Sequence, residues 1–471
     1  MPGHKLGCGI PEEFLSSIEK LDLTEIPGLD DLHDPSGIIA KAQELAAGAF
    51  GAERSYFLVN GSTVGIHAAI SAVCRPGQHL IVGRDSHSAV INGMLIAGVR
   101  PYYMMPGYTN TFGICTGITP WEVCRALDDI PDAAGVLITR PNYYGICCDI
   151  EEIAKIVHSK NKVLIVDEAH GPHFAFNRRL PVSALEAGAD ICIQSAHKTL
   201  PAFTQGAYLH IGSDRADMGR LEYFLEMYQT TSPSYMIMAF LDIARAIMQR
   251  QGTRLLDSLL DSLEACRNSF GGREMILDKA AVPGFDHDAT RLTVNVGKLG
   301  MTGFEAERIL RQRYNIQSEM SDASNVVFIC TAADSPERVG ILFAALEELR
   351  QAAGKSFGRD VDTRLKKEQA FSVFGERVHN CMRNMHAIMG NNRYELEPSD
   401  ILNAEAERVR LENAAGRISK GIIAPYPPGI PLVCPGEAIS RDAADLLTGV
   451  IQAGGRVHGI SGGGTVAVIK R

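Results

Sequence analysis

The residues best suited to chemistry surround Lys198, in the polar stretch from Ser195 to Gln205. A short apolar run at residues 191–194 precedes this stretch and predicts a buried strand. A second apolar run at residues 163–166 ends in Asp167. Because ligands of open α/β sheets bind beyond the carboxyl ends of the strands, we expect Asp167 and Lys198 to face one crevice.

A lysine in such a crevice can be a surface charge, an anion contact or a covalent nucleophile. Its neighbours favour the last role. Ser195 and His197 could hold an anion such as phosphate, and Asp167 could neutralise a cationic heterocycle. A Schiff-base lysine, a phosphate cup and an aspartate on a pyridinium nitrogen are together the groups that bind pyridoxal phosphate.

A second phosphate-binding element is predicted at Gly61, Ser62 and Thr63. These residues join a predicted strand at residues 55–60 to an apolar helix at residues 66–73. Free backbone N–H groups and the helix dipole favour an anion at such a turn. Ordinary capping of the helix by Ser62 or Thr63 is the alternative interpretation.

The stretch around Lys198 reads Ser-x-His-Lys-x-x-Pro-Ala-x-x-Gln, which resembles the cofactor-attachment signature of the ornithine/lysine/arginine decarboxylases. Two more elements resemble that family. They are Pro2-Gly3-His4-Lys5 near the start and Tyr426-Pro427-Pro428-Gly429, followed by Pro435-Gly436-Glu437, near the end. The resemblance therefore extends along the whole chain, and it implies a pyridoxal-phosphate enzyme of fold type I.

The resemblance also implies roles for individual residues. Lys198 is the expected covalent attachment point, and Asp167 is expected to keep the ring nitrogen protonated. His87 is expected to stack on one face of the ring, with Ala169 against the other. The full set of expected cofactor-binding residues is Gly61, Ser62, Thr63, His87, Asp167, Ala169, Ser195, His197 and Lys198. Of these, Lys198, His87 and Asp167 are the expected catalytic residues.

The activity implied is decarboxylation of a basic L-amino acid to a di- or polyamine precursor. Arginine is favoured over lysine and ornithine, because the chain resembles a short bacterial branch without the amino-terminal wing domain. Glu437 is the expected contact for the substrate's distal cation, although a glutamate there could instead cap a helix. Two alternatives remain open: another pyridoxal-phosphate reaction, such as transamination or elimination, and a non-catalytic homologue with a regulatory binding role.

Strand and helix patterns alternate along the first half of the chain, which predicts a mostly parallel sheet covered on both faces. With the resemblance, the expected fold class is α/β, with a large domain like that of the pyridoxal-phosphate-dependent transferases. We expect an arm at residues 1–35, this large domain at 36–284, a small α/β domain at 285–360 and a carboxyl-terminal decarboxylase domain at 361–471. Three finer predictions are two helices at residues 236–251 and 254–269, a half-exposed strand at 291–296 and a helix at 401–413.

Composition excludes several other classes of protein. The net charge of −9 with no long basic block argues against nucleic acid as a partner. No apolar run approaches the ~20 residues of a membrane span, and no signal-peptide core follows Met1, so a cytoplasmic protein is expected. The 11 cysteines are scattered without a Cys-x-x-Cys pair, which argues against disulfides and metal sites.

Asp167-Glu168-Ala169-His170 also spells a helicase box, but that role requires a phosphate loop that this sequence lacks.

The resemblance implies a homo-oligomer built from dimers that share their active sites.

Overall fold

The computed structural model describes residues 1–16, 18–356, 388–389, 396–426, 429–452 and 455–470. Helix α1 (Glu12–Leu15) lies in the amino-terminal arm. The strands of the large domain are β1 (Arg54–Leu58), β2 (His79–Gly83), β3 (Arg100–Met104), β4 (Gly107–Thr109), β5 (Ile114–Gly117), β6 (Gly135–Thr139), β7 (Ile146–Cys147), β8 (Val163–Asp167), β9 (Ile191–Gln194) and β10 (Ala207–Ile211). Its helices are α2 (Ile38–Phe50), α3 (Gly61–Val73), α4 (Ser88–Ala97), α5 (Pro120–Asp129), α6 (Ile150–Ser159), α7 (Ala196–Thr199), α8 (Met218–Tyr228) and α9 (Tyr235–Ser269).

The central sheet has seven strands in the order β1-β10-β9-β8-β6-β2-β3. The pairings from β9 to β3 are all parallel, whereas β10 runs antiparallel to both of its neighbours. This confirms the predicted mostly parallel sheet. The carboxyl ends of β2, β6, β8 and β9 therefore lie at one edge, as the site requires.

Helices cover both faces of this sheet, because alternate strand residues point to opposite sides. On β2, Leu80 and Val82 pack in the core that contains α3 and α4, whereas Ile81 packs in the core that contains α2, α5 and α6. Strands buried on both faces read as continuous apolar runs, which is how they appear in this sequence.

The predicted break between helices at residues 236–251 and 254–269 is wrong. Helix α9 runs without interruption from Tyr235 to Ser269. Gly252, which lies between the two predicted helices, is buried within α9, and a Cβ there would lie 3.0 Å from the Cβ of Phe176. The glycine allows a close approach of the neighbouring chain and does not end the helix.

The region predicted to be the small domain contains β11 (Asp286–His287), β12 (Arg291–Asn295), β13 (Met320–Ser321) and β14 (Asn325–Ile329), with helices α10 (Gly303–Tyr314) and α11 (Pro336–Ser356). Its sheet has the antiparallel order β12-β14-β13. All five residues of β12 are buried, so the prediction of a half-exposed strand is wrong. The alternation of polar and apolar residues on β12 instead reflects polar side chains with partners inside the protein.

The carboxyl-terminal part contains helices α12 (Pro398–Asn403) and α13 (Arg441–Gln452), with strands β15 (Ala406–Arg410), β16 (Ala424–Tyr426), β17 (Arg456–His458) and β18 (Thr465–Ile469). The predicted helix at 401–413 is wrong, because α12 ends at Asn403 and β15 pairs with β18 near the end of the chain. Non-local pairing here outweighs local helix propensity. The predicted domain boundary at residues 360–361 lies outside the described residues. Among the residues that are described, no helix has the length and apolar character needed to cross a membrane.

Candidate active site

Lys198 and Asp167 meet at the carboxyl edge of the central sheet. Asp167 is the last residue of β8, and Lys198 lies in the short helix α7 that follows β9. These two strands are parallel neighbours, with Asp167 paired to Ile193. Asp167 is buried, and its Oδ1 accepts a hydrogen bond of 3.2 Å from the backbone N–H of Ala169. Both residues therefore lie at the edge of the sheet where the sequence predicts a crevice.

Charge and burial oppose each other at this pair. Burial raises the pKa of Asp167, while Lys198 and the Ala169 N–H act to lower it. Burial lowers the pKa of Lys198, while Asp167 and Glu319 act to raise it. Each group thus stabilises the charged form of the other in a place where neither is well solvated.

A cavity of about 260 Å³ opens over Lys198. Three parts of the chain form its wall. The large domain supplies His87, Ser88, Tyr143, His170 and Lys198; the small domain supplies Glu319 and Met320; and the carboxyl-terminal part supplies Ile422, Ala424, Tyr426, Gly429 and His458. The rings of Tyr426 and His458 stack at a centroid distance of 4.2 Å at its rim. The site is therefore completed by segments that lie far from Lys198 in the sequence.

The predicted phosphate-binding residues also come together. The Ser195 Oγ donates a hydrogen bond of 2.8 Å to the Ser62 Oγ, which joins the segment before Lys198 to the first turn of α3. Gly61 begins that helix at φ +79°, a conformation that favours glycine. Thr63 follows in the same turn and is exposed. Two hydroxyl groups and a helix amino terminus thus share one location, which suits an anion.

His197 is oriented by the backbone. Its Nδ1 lies 3.1 Å from the Gly206 carbonyl oxygen, so Nδ1 is the donor and Nε2 is left as an acceptor in the neutral ring. Burial lowers the pKa of His197 to about 4. A neutral ring is a hydrogen-bond partner and not a counter-charge for an anion.

His87 caps helix α4 and lines the cavity. Its Nδ1 accepts a hydrogen bond of 3.1 Å from the Ala89 N–H, so Nε2 carries the proton of the neutral ring. Burial, with a smaller contribution from Lys198, lowers the pKa of His87 to about 4. The imidazole is therefore neutral at pH 7, as stacking on a heterocycle requires.

Glu437 does not line this cavity. Its carboxylate is buried, and Oε2 lies 3.1 Å from the Nη2 of Arg84, which is also fully buried. The Cys434 N–H donates a 2.7 Å hydrogen bond to the same oxygen. The structure therefore places the expected substrate contact in an internal ion pair, because a buried arginine needs a counter-charge.

Sequence reasoning missed three residues of the site. Glu319 lies in the cavity wall and makes no ion pair or hydrogen bond through its carboxylate with any other described side chain. His170, which the sequence presents only as part of the helicase-like box, lies with its Nε2 3.1 Å from the Lys198 Nζ. Arg291 contacts His170 from the small domain. Local sequence signals identify none of these three.

The side chains and backbone groups of this site fit pyridoxal phosphate. They provide an amine for an aldehyde, a carboxylate for a ring nitrogen, and hydroxyl and N–H groups for a phosphate. Among the described residues there is no group of three or more His, Cys, Asp or Glu side chains that could hold a metal ion.

Known proteins with similar folds include the lysine decarboxylase of Francisella novicida, with a TM-score of 0.79 and 22% identity over 100% of this chain and 78% of that one. The constitutive lysine decarboxylase of Escherichia coli has a TM-score of 0.77 and 20% identity over 100% and 79%. These similarities establish the fold.

The arginine decarboxylase of Bacillus anthracis is 35% identical over 98% of this chain and 91% of its own length. That of Bacillus subtilis is 34% identical over the same shares. The family model for the Orn/Lys/Arg decarboxylase major domain matches residues 1–281, and the model for the C-terminal domain of the same family matches residues 383–456. Together with the fold and the residues of the site, these matches show that the chain belongs to the Orn/Lys/Arg decarboxylase family, whose members are pyridoxal-phosphate-dependent carboxy-lyases.

Proposed function

We propose that this chain decarboxylates arginine, with pyridoxal phosphate attached at Lys198. Glu319 carries the choice of a basic substrate, because its carboxylate lies in the wall of the Lys198 cavity. It acts electrostatically on Lys198 and Arg291 but forms no ion pair within 4 Å among the described residues. The choice of arginine over lysine or ornithine is supported by the Bacillus relatives that bear that name.

The cofactor would be held by groups from four segments. Lys198 would bond its aldehyde carbon, and the Asp167 carboxylate would accept a hydrogen bond from the ring nitrogen. His87 would stack on the ring, and Ala169 would leave space against the opposite face. The phosphate would be bound by Gly61, Ser62, Thr63, Ser195 and His197. When bound, pyridoxal phosphate supplies an electron sink for the carbon that loses its carboxylate.

Residues of the chain then hold or move protons and exclude water during the reaction. The buried Asp167 keeps a proton on the ring nitrogen, because a nearby carboxylate stabilises the cation. After carbon dioxide leaves, the same carbon must receive a proton. The Lys198 Nζ would deliver it once it has left the cofactor and has taken up a proton as an ammonium group. Tyr426 and His458, stacked at the rim, limit the access of water to the bond being broken.

The far end of the substrate would meet Glu319. A guanidinium group offers a planar pair of donors that matches both oxygens of a carboxylate. Lysine and ornithine present a single ammonium group, which a carboxylate binds as a point charge. Glu319 therefore sets the class of substrate, and the distance from Lys198 to Glu319 would select among its members.

A product screen tests this proposal. Purified protein is incubated with arginine, lysine and ornithine, and carbon dioxide and the amine product are measured. Arginine should be decarboxylated fastest. Release of carbon dioxide from none of the three would contradict the proposal.

Variants of Glu319 test the substrate contact. Glu319→Gln should raise KM for arginine at least about tenfold, because a hydrogen bond to a charged group contributes ~1.5–3 kcal/mol. Glu319→Asp should lose less, and the exposed Glu151→Gln serves as the matched control. Unchanged KM in Glu319→Gln would remove Glu319 from the substrate site.

We also propose that two copies pair through the surface formed by α2 and α8. Four large apolar side chains on these helices are exposed: Ile38 by 76%, Leu45 by 38%, Tyr223 by 58% and Met227 by 53%. Tyr223 lines a cleft of about 780 Å³ to which residues of both helices contribute. Exposed apolar groups clustered in this way typically mark a protein interface.

Light scattering after size-exclusion chromatography tests the dimer. Wild type should elute as a dimer or a multiple of dimers, and Tyr223→Lys with Met227→Glu should dissociate it. Trp121→Lys, at an exposed position outside the two helices, is the control. A monomeric wild type would refute the proposed pairing.

A further inference from the structure

Three basic side chains, Arg291, His170 and Lys198, form a hydrogen-bonded chain that ends at Lys198. The Arg291 Nη2 lies 2.8 Å from the His170 Nδ1, and the His170 Nε2 lies 3.1 Å from the Lys198 Nζ. Arg291 and His170 are both buried, at 1% and 4% exposure. Burial of an arginine requires compensating interactions, because removing its charge from water costs free energy.

The direction of the hydrogen bonds follows from the chemistry of the groups. A guanidinium only donates, so the His170 Nδ1 must accept from Arg291. The neutral ring then carries its proton on Nε2, and that N–H points at the Lys198 Nζ. An ammonium group has no lone pair and cannot accept, whereas a neutral amine can. The network therefore fits a neutral Lys198.

The electrostatics agree with this assignment. Burial lowers the pKa of His170 well below its ordinary value, with Lys198 and Arg291 next in effect, so the ring stays neutral. Burial is also the largest cause of the lowered pKa of Lys198. The titratable and charged groups near Lys198 are Asp167, Glu319, Arg291, His87, His170 and His197. The two carboxylates oppose deprotonation, and Arg291 favours it.

The fold fixes Arg291 in place. It begins β12, where it pairs with Ile329 of β14. A Cβ at Gly145 would lie 2.6 Å from the Arg291 Cβ, so the loop after β6 packs directly on the arginine stem. Its Nε and Nη1 have no hydrogen-bond partner within the described part of the chain, which leaves His170 as the acceptor for the guanidinium there.

We propose that Arg291 is a positioning residue that fixes the tautomer of His170 and thereby holds Lys198 as a neutral amine. The inference rests on the proposed role of Lys198 as the attachment point. The amine lone pair forms the bond to the aldehyde carbon, and the carbonyl oxygen leaves as water with the two amine hydrogens. Only the neutral amine has the lone pair that this step needs.

The test measures cofactor uptake by the apoenzyme, without substrate. Pyridoxal phosphate is added across a range of pH, and the rate of bond formation is followed by visible absorbance. Arg291→Met should move the midpoint of the pH–rate profile upward. Below that midpoint, the rate constant should fall about tenfold for every pH unit by which the midpoint rises, because the neutral fraction of the amine falls by the same factor.

A conservative variant tests the need for a cationic donor, and a comparison in a His170→Phe background separates the relay from simple charge. Arg291→Lys, which retains a donor and a charge, should restore most of the wild-type profile. In a His170→Phe background, Arg291→Met should shift the midpoint much less than it does beside His170, because the relay is already broken. Arg267→Met is the control, since Arg267 donates to the Ala289 carbonyl and does not contact His170.

Each outcome of these measurements either supports or overturns the proposed role of Arg291. Equal shifts with and without His170 would mean that Arg291 acts by its charge alone, and the inference would be overturned. A profile unchanged by Arg291→Met would overturn it as well. If Arg291→Met does not fold, Arg291→Gln, too short to reach His170, replaces it with the same expected shift. If borohydride traps no cofactor on wild-type Lys198, the proposed function itself fails, and that outcome is distinct from an unshifted profile.

Discussion

Glu437→Gln separates the two roles open to this glutamate, that of a substrate contact and that of an internal counter-ion. The substitution removes the charge and preserves the shape of the side chain and its acceptor for the Cys434 N–H. Arg84 would then be left fully buried beside a neutral group. We expect a loss of stability with KM for arginine unchanged.

The expected loss of unfolding free energy follows from the burial of the Arg84–Glu437 pair. The side chains of Arg84 and Glu437 are exposed by 0% and 1%, so solvent does not screen their interaction. The Arg84 Nη2 lies 3.1 Å and 3.4 Å from the two carboxylate oxygens. Removal of one partner from a buried pair costs ~3–5 kcal/mol. Because Arg84 also donates to the carbonyl oxygens of Pro431 and Leu432, the lower end of that range applies.

Urea unfolding of the apoenzyme at a fixed protein concentration measures this loss. With a urea m-value of roughly 3 kcal/mol/M or more for a chain of this size, a loss of about 3 kcal/mol lowers the midpoint by up to about 1 M. The double variant Arg84→Met with Glu437→Met should recover most of the loss, because no charge is then left unpaired.

The matched control is the exposed pair Arg178–Glu186, 3.3 Å apart with side chains 92% and 57% exposed. Glu186→Gln should change stability by less than about 1 kcal/mol. The reasoning is refuted if Glu437→Gln unfolds at the wild-type midpoint while its KM for arginine rises as far as that of Glu319→Gln. That result would return Glu437 to the substrate site.

Three further predictions follow from buried groups near the site. Burial raises the pKa of Asp85 from 3.8 to about 6, so the folded state binds this proton more tightly and wild-type stability falls as pH rises from about 4 to 6. Asp85→Asn should therefore raise the free energy of unfolding by up to roughly 3 kcal/mol at pH 8 and have little effect at pH 4; an equal gain at both pH values would contradict this cause. Gly145→Ala should reproduce the pH shift of Arg291→Met in cofactor uptake, because its Cβ would meet the arginine stem, whereas Gly28→Ala, at φ +99° with no atom within 4 Å, should add backbone strain only. Asp167→Asn should slow carbon dioxide release at least about a hundredfold while borohydride still traps cofactor on the chain; wild-type turnover would argue against its role at the ring nitrogen.

The part of the site that could be predicted lies on consecutive segments of the large domain. Asp167 and the segment of Lys198 each follow an apolar run that forms one parallel strand, so strand period and chain order alone place both at one edge. The turn from Gly61 to Thr63 was predictable for the same reason, since a strand, a glycine and a helix start follow each other directly. The errors arose where tertiary packing decides, as at Gly252, which is buried inside α9 close to Phe176.

The residues that were missed depend on contacts that local sequence does not encode. His170 and Arg291 are separated by 121 residues, and Arg291 alternates with apolar neighbours as it would on an exposed strand face. Only the packing of β12 against the segment after β8 places this guanidinium, buried, beside an imidazole. Glu319 reaches the cavity because β13 pairs with β14 just after it. Glu437 shows the converse, since a motif placed it near the site whereas Arg84 determines its environment. A local motif can thus predict the group that would bond the cofactor, whereas the residues proposed to set its protonation state come to it only through the fold.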